Sequence, residues 1–315
     1  MNTNVLRTLV FITVTLPKAV TIILSKLQEP LVTRYRLGVV IHRLYLEKVF
    51  DGETLDQLAK ENANATDLNR LIKSLEASAI LQEHPNFRGK AYRLLGKKDE
   101  KPEDAACIVD PFSYVSHLSA MNYHGLTDRL PAKLFLSSPD PKKWTELAHG
   151  QMLKDLGATL DSYHEGGLPL LTRTKLTKIG KTEIHRINST RLGAFKTVRD
   201  RSMRVSTIGR TFLDMLQSPQ LCGGMRHVIE VFREHAATYL MPIVYEVDQY
   251  GGRIDKVRAG YLLDELLGIG NETIEKWAQF ASRGGSRKLD PAEEYFPKWS
   301  EKWCISLNID LPEES

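Results

Sequence analysis

The chain has 315 residues, 42% of them hydrophobic and 26% charged, with a formal net charge of +4. That length calls for two domains, the composition is ordinary for a soluble globular protein, and a charge of +4 is too mild to argue for nucleic acid by itself. Three scattered cysteines, Cys107, Cys222 and Cys304, exclude a disulfide framework and a Cys-x-x-Cys zinc cluster and point to a reducing, cytoplasmic setting.

Residues 1–30 form an N-terminal extension. Its apolar run, Leu9 to Leu16, follows Arg7 and is ended by Pro17-Lys18. The basic start and short apolar run are those of a signal peptide, but the cleavage site is poor. A membrane span needs about 20 apolar residues, and Pro17 and Lys18 interrupt this run, so no membrane partner is expected. We read an extra terminal element; the plain alternative is a strand or helix docked on the first domain.

Residues 31–96 read as a winged helix-turn-helix. Val32 to Phe50 is a helix with Leu37, Val40, Ile41, Leu44 and Tyr45 at helical spacing, stopped at Asp51-Gly52. Thr54-Leu-Asp-Gln57 has the form of a capping box, which predicts a short helix with Leu55, Leu58 and Ala59 on one side. Asn62-Ala-Asn64-Ala makes a turn, and Thr66 caps a second helix whose Leu68, Leu71, Ile72 and Leu75 fall at i, i+3, i+4, i+7. Asn69, Arg70, Lys73 and Ser74 take the opposite face. Ile80-Leu81 and residues 91–95 read as two strands around a tip holding Arg88 and Lys90.

A helix fits the major groove of duplex DNA, where Arg reaches guanine and Asn reaches adenine through paired hydrogen bonds. Asn69, Arg70, Lys73 and Ser74 are therefore the expected base readers. Thr66, Arg88 and Lys90 are placed for phosphates, which fix register without reading sequence. The plain reading is a solvated helix face and an ordinary hairpin, or a winged module that binds protein.

Residues 97–104 are charged, free of large apolar side chains and contain Pro102, which makes them a linker. A second domain, residues 105–315, opens with Asp110-Pro111 as a helix start, its apolar face carrying Tyr114, Val115, Leu118 and Met121 and its end at Gly125. Residues 133–138 are strand-like and 144–156 helical. Residues 168–199 read as a sheet, and helices return from Thr207. One is broken at Ser218-Pro219, one follows Gly223-Gly224, and one runs from Asp255 to Leu267 with Gly268 as its stop. The fold class expected is α+β, a winged module followed by a larger mixed α+β domain.

The basic character is concentrated. Residues 173–210 hold 11 Lys and Arg against Glu183 and Asp200, a local excess of nine, so the rest of the chain is net −5. Within that stretch Arg199, Arg201, Arg204 and Arg210 repel one another unless an anion compensates, and a nucleic-acid phosphate is the obvious candidate; a solvated basic strand is the alternative. The other candidates are weaker. His117 and His124 share a helix stripe but have no third ligand, and we read them as structural. Gly268-Ile-Gly270 lacks the third glycine of a dinucleotide site. Arg210 and Asp214 read as a salt bridge, and Gly223-Gly224 as a connector. Asp161 with Glu183-Ile-His185 is a faint metal-nuclease pattern.

The later segments resemble a known family. Residues 117–131, His-Leu-Ser-Ala-Met-Asn-Tyr-His-Gly-Leu-Thr-Asp-Arg-Leu-Pro, are similar to the signature of the AbiEi family, antitoxins of type IV toxin–antitoxin systems linked to abortive phage infection. Residues 209–224 and 256–265 resemble that family's later motif and closing helix, and the likeness spans roughly residues 30–307. It implies a DNA-binding N-terminal domain that represses its own operon through double-stranded operator DNA, and a C-terminal domain needed for antitoxin action. It implies opposition to an AbiEii-type nucleotidyltransferase toxin without a stable complex. It implies no enzymatic activity; no cofactor and no metal are expected. Two departures stand out: Gly209 occupies the place before the motif arginine where the family often has an acidic residue, and residues 5–24 match nothing in it. The rival readings are a stand-alone winged-helix regulator and a metal-dependent DNA-processing enzyme using Asp161 and Glu183.

Overall fold

The computed structural model describes residues 13–56, 58, 60–97, 100–189, 192–282 and 287–310. The fold is mixed α+β. Its chain packs as two compact units, neither of them one continuous segment. Unit 1 takes residues 1–112, 141–175 and 199–202; unit 2 takes 113–140, 176–198 and 203–315.

Strand β1 (Thr13–Val14) leads into helix α1 (Leu16–Lys26), with Pro17 in its first turn, where a missing N–H is harmless. Ala19, Val20 and Leu24 of α1 are buried in the core of unit 1, so this part of the extension docks on the first unit as a helix. Residues 9–12 of the apolar run lie outside the described residues. Strand β2 (Leu31–Thr33) ends at Thr33, whose hydroxyl accepts from Arg36 N at 3.2 Å and starts α2 (Arg34–Glu47). Gly38 of α2 has no room for a side chain: a Cβ there would lie 2.5 Å from Tyr163 Oη.

The short helix expected from Thr54 is not formed by its described residues. Glu53–Leu55 is strand β4, paired antiparallel with β3 (Val49–Phe50) and parallel with β1. Asp51 and Gly52, at φ +52° and +82°, make a tight hairpin turn. An Asp-Gly pair between strands is a strong hairpin signal, and it outweighs the capping pattern. Gln57 and Ala59 lie outside the described residues.

Helix α3 (Ala65–Ala77) starts two residues earlier than expected. Asn64, not Thr66, is the N-cap: its Oδ1 accepts from Thr66 N and Asp67 N at 3.0 and 3.1 Å, while Asp67 Oδ2 accepts from Asn64 N at 3.2 Å. Asn-x-x-Asp thus closes the reciprocal box that the sequence reading placed at Thr54. Strands β5 (Leu81–Glu83) and β6 (Ala91–Leu94) follow as expected. The β2 strand joins them in an antiparallel sheet of order β2-β6-β5, with Val32 opposite Tyr92 and Leu81 opposite Leu94. Helix α4 (Pro102–Val109) begins inside the expected linker, of which Lys98 and Asp99 lie outside the described residues.

Asp110-Pro111 does not open a helix. Asp110 Oδ1 accepts from Phe112 N at 3.2 Å and from Trp144 Nε1 at 2.8 Å, which turns the chain instead. Unit 2 then begins with β7 (Tyr114–Val115), α5 (His117–Tyr123) and β8 (Lys133–Pro139). Helices α6 (Pro141–Leu156) and α7 (Leu160–Glu165) belong to unit 1, where Met152, Leu156, Leu160 and Tyr163 join Leu37, Ile41, Leu44, Leu68, Leu71, Ile72 and Leu75 in one core. Burying each such side chain contributes about 1.5–3 kcal/mol.

Back in unit 2, β9 (Lys178–Ile179), β10 (Thr182–Ser189), β11 (Phe195–Thr197) and β12 (Arg204–Ser206) complete a six-stranded mixed sheet of order β11-β12-β7-β8-β10-β9. Strands β8 and β10 run parallel over seven residue pairs, from Lys133 opposite Glu183 to Pro139 opposite Ser189. Helices α8 (Ile208–Gln217), α9 (Met225–His235), α10 (Leu240–Tyr250), α11 (Arg253–Gly260) and α12 (Glu272–Trp277) form the rest, with a π-helical turn at Tyr261–Leu266 and a closing hairpin of β13 (Trp299–Ser300) and β14 (Ile305–Ser306). Phe212, Phe232, Ile243, Val247, Leu262, Trp277 and Trp303 are buried at the centre of this unit. Among the described residues no helix is long and apolar enough to cross a membrane.

Candidate nucleic-acid interface

Helix α3 divides cleanly in two. Leu68, Leu71, Ile72 and Leu75 are buried, whereas Thr66, Asn69, Arg70 and Lys73 are exposed on the other face and Ser74 is half-buried at its margin. The 3.6-residue period alone produces this division. Arg70 is 78% exposed and its Nη1 lies 3.9 Å from Asp67 Oδ1, too far to hold the guanidinium in place. Asp67 is buried; besides closing the cap it accepts from Lys60 Nζ at 3.0 Å.

Arg34, the first residue of α2, ties three elements together. Its backbone N–H donates to Lys90 O at 2.7 Å, its Nη1 to Tyr92 Oη at 3.1 Å, and its Nη2 to Asn69 Oδ1 on α3. No spacing rule links residues 34, 69 and 92, so only the fold brings them together.

The tip between β5 and β6 is built rather than loose. His84 is buried, its ring stacks on Phe87 at 4.6 Å, and its Nδ1 accepts from Asn86 N at 3.1 Å. Its Nε2 meets Glu100 Oε1 at 2.8 Å, and Arg93 Nε donates to Glu100 Oε2 at 3.0 Å. Burial pushes the Glu100 carboxyl up, but the hydrogen bonds from His84 and Arg93 outweigh it and hold its pKa below the ordinary glutamate value. Glu100, read as linker, is therefore a strap across the base of the hairpin. At the tip Gly89, at φ +69°, donates its N–H to Glu83 Oε1 at 2.7 Å, and the side chains of Arg88 and Lys90 are exposed.

The four arginines of the basic stretch do not form one surface cluster. Arg199 and Arg201 belong to unit 1, Arg204 and Arg210 to unit 2. Arg199 is 95% exposed, its Nε 3.7 Å from Asp200 Oδ2. Arg201 Nη2 lies 2.8 Å from Asp104 Oδ2 and 3.3 Å from Glu103 Oε2, and Arg204 Nε donates to Ser113 O at 2.9 Å. Arg210 is buried and donates from Nε to Asp214 Oδ1 at 2.8 Å. For Arg201 and Arg210, carboxylates of the chain itself thus supply the compensation that the spacing demanded of an outside anion. Arg210 is further shut in by Gly193, where any Cβ would fall 2.1 Å from Arg210 Cδ.

The remaining candidates resolve locally. His124 Nε2 donates to Ser206 O at 2.7 Å, while His117 Nδ1 meets Ser116 Oγ at 2.8 Å, so the two rings have separate partners. Asp161 lies in unit 1 and Glu183 in unit 2, where Glu183 Oε2 is 3.0 Å from Lys133 Nζ and His185 packs on Phe135. Among the described residues no group of three or more His, Cys, Asp and Glu side chains is placed to hold a metal ion. Gly223 and Gly224, both at φ +90°, make the turn into α9. Beside that turn a cleft of about 280 Å³ is lined by Thr127, Arg129, His227, Glu230 and His235 among others.

No family model matches the chain, and no protein of curated function matches it. The chain is similar to a solved structure, that of the RV2827C protein from Mycobacterium tuberculosis, at 13% sequence identity and a TM-score of 0.47, over 91% of this chain and 89% of that one. A likeness at this level decides neither family nor function.

Proposed function

We propose that the chain is a transcriptional regulator that reads double-stranded operator DNA with α3. The observation that carries this reading is the polar face of α3: Thr66, Asn69, Arg70 and Lys73 exposed together, backed by a buried apolar face and held by a reciprocal cap. Helix α3 is followed by an antiparallel hairpin whose tip presents Arg88 and Lys90, which supports a reading helix with a wing although the helix expected before α3 is a β-hairpin. Arg70 and Lys73 have the donors and the freedom to reach base edges, and Arg88 and Lys90 suit phosphates. The wide β3–β4 insertion before α3 replaces the tight turn of a helix-turn-helix, so α3 acts as a reading helix braced by α1 and α2.

The segments at residues 117–131, 209–224 and 256–265 support a second, linked role as an AbiEi-type antitoxin that represses its own operon and opposes an AbiEii-type nucleotidyltransferase toxin without stable association. This role belongs to unit 2 and involves no catalysis. A stand-alone regulator is the rival; the antitoxin reading requires a nucleotidyltransferase gene beside this one.

One variant separates the two roles. Full-length Arg70→Ala is expected to lose repression of a reporter under its own upstream region while still rescuing growth of cells expressing the neighbouring toxin. Loss of both together, with the variant folded, would contradict a division of labour. Unchanged repression would remove α3 from operator reading.

A further inference from the structure

Thr127, His227 and Glu230 line the cleft beside the Gly223-Gly224 turn and are bonded in series. Thr127 Oγ1 lies 2.8 Å from His227 Nε2, and His227 Nδ1 lies 3.2 Å from Glu230 Oε2. The donor chemistry sets the direction of each bond. A carboxylate only accepts, so Nδ1 carries the proton and Nε2 of the neutral ring is an acceptor. The Thr127 hydroxyl therefore donates to Nε2, while its oxygen accepts from Arg129 N at 3.1 Å, which fixes its orientation. A hydroxyl aimed at a base that a carboxylate in turn orients is the arrangement of an activated nucleophile.

The surroundings are built to keep it. His227 is buried and Thr127 half-buried, whereas Glu230 reaches solvent. Gly223 leaves room for the ring: a Cβ there would lie 2.8 Å from His227 Cδ2 and 3.2 Å from Arg129 Nη1. Arg129 donates from Nη1 to Gly223 O at 3.1 Å and is otherwise exposed, so guanidinium donors remain at the cleft for a developing oxyanion. Asp128, Glu230 and Glu234 outnumber Arg129 around the cleft, which disfavours anionic molecules, and a volume of about 280 Å³ suits small ones.

We propose that Thr127 and His227 are the nucleophile and general base of a hydrolytic site for small neutral or cationic carboxylic esters, with Glu230 as the positioning residue. This activity is separate from DNA reading by α3 and from the antitoxin role, and rests on neither. Thr127 Oγ1 bonds to the ester carbonyl carbon as its proton passes to His227 Nε2. The bond from that carbon to the alcohol oxygen breaks, and the imidazolium gives its proton to the departing alkoxide. Water then attacks the acyl-threonine and loses a proton to Nε2, and the Thr127 oxygen leaves with that proton. A merely structural trio would hold the loop to α9 and react with nothing.

The test treats the full chain with an uncharged alkyl fluorophosphonate, a probe of activated hydroxyls, and locates the adduct by peptide mass spectrometry. The wild type is expected to be modified at Thr127. Labelling should vanish in Thr127→Ala, persist in Thr127→Ser and slow about a hundredfold in His227→Gln, each variant checked for folding by circular dichroism. Turnover of p-nitrophenyl acetate should follow the same order. Glu230→Gln should move the acid limb of the labelling rate to lower pH, because the lost carboxylate no longer favours the imidazolium; an unmoved limb removes Glu230 from the site. Absence of an adduct on Thr127 in the wild type overturns the proposal, as does labelling unaltered in folded His227→Gln or ester turnover that survives in folded Thr127→Ala. Should the variants not fold, the wild-type adduct decides alone, Thr127 supporting the proposal and any other residue overturning it.

Discussion

Asn64 and Asp67 set the start of α3 and so the residues that its polar face presents. Each supplies an acceptor for the other's backbone N–H, and Asp67 is buried where its carboxylate also meets Lys60. Replacing Asn64 by Ala removes the cap and is expected to cost about 1 kcal/mol, seen as a lowered urea midpoint at unchanged slope. An unchanged midpoint would mean that the cap contributes nothing in this context. Three histidines set the acid side of stability. Burial lowers the pKa of His42 in unit 1 and of His117 and His124 in unit 2, opposed for His42 by the backbone of Thr159 and for His124 by the Ser206 carbonyl. A base whose folded pKa lies below its unfolded value contributes stability that is complete above about pH 6.5 and lost as pH falls through that value toward the folded pKa. Thermal midpoints should therefore drop between pH 7.5 and pH 5.5, and His42→Leu should flatten part of that drop; an identical slope in the variant would contradict the assignment. Glu246 acts in the opposite sense. Burial raises its carboxyl pKa, with Arg210 and the Ala194 backbone only partly offsetting this, so its contribution is complete below the ordinary glutamate value and is lost as pH rises through the raised one.

At the scale of elements, close approach decides which glycines can change. Helices α8 and α10 meet at Gly209, where a Cβ would lie 2.3 Å from Pro242 O. This accounts for glycine at a place where an acidic side chain would be driven into a neighbouring backbone. Gly209→Ala is expected to push the helices apart and lower the stability of unit 2 by about 1–3 kcal/mol, read from a urea melt followed by tryptophan fluorescence. A neutral substitution would show that α10 yields freely. Helix α10 also illustrates what a sequence can and cannot declare. The apolar period of α2, α3, α8 and α9 was legible in the sequence, although packing buries α8 from Gly209 to Leu216 without a break. Helix α10 was not: Pro242 and the exposed Met241, Tyr245 and Tyr250 interrupt its apolar pattern. The β3–β4 hairpin was missed because Asp51-Gly52 fits a helix stop as well as it fits a turn, and nothing local chooses between them. Of the candidate interface, the exposed face of α3 and the tip residues Arg88 and Lys90 could be named in advance. Arg34 and Glu100 could not, since their partners lie far along the chain or across a hairpin.

Across the whole molecule, the charge distribution changes meaning once side chains are placed. The excess of nine between residues 173 and 210 suggests a large electrostatic footprint, yet Arg201 and Arg210 are paired with carboxylates inside their own units. The cations left fully to solvent around α3 and the hairpin tip are few: Arg70, Lys73, Arg88 and Lys90. If Arg88 and Lys90 each neutralise one phosphate while Arg70 and Lys73 reach base edges, the affinity for duplex DNA should fall with salt at a log–log slope on the order of −2 per chain. The most direct measurement is a salt-resolved titration of wild type, Arg70→Ala and Lys90→Ala on the operator and on a random duplex of equal length. Arg70→Ala is expected to lose about 1–3 kcal/mol on the operator and little on random DNA, while Lys90→Ala weakens both alike and makes the salt slope shallower by about 1. Equal losses on the two duplexes for Arg70→Ala, or no dependence on either residue, would contradict the claim that α3 reads the groove.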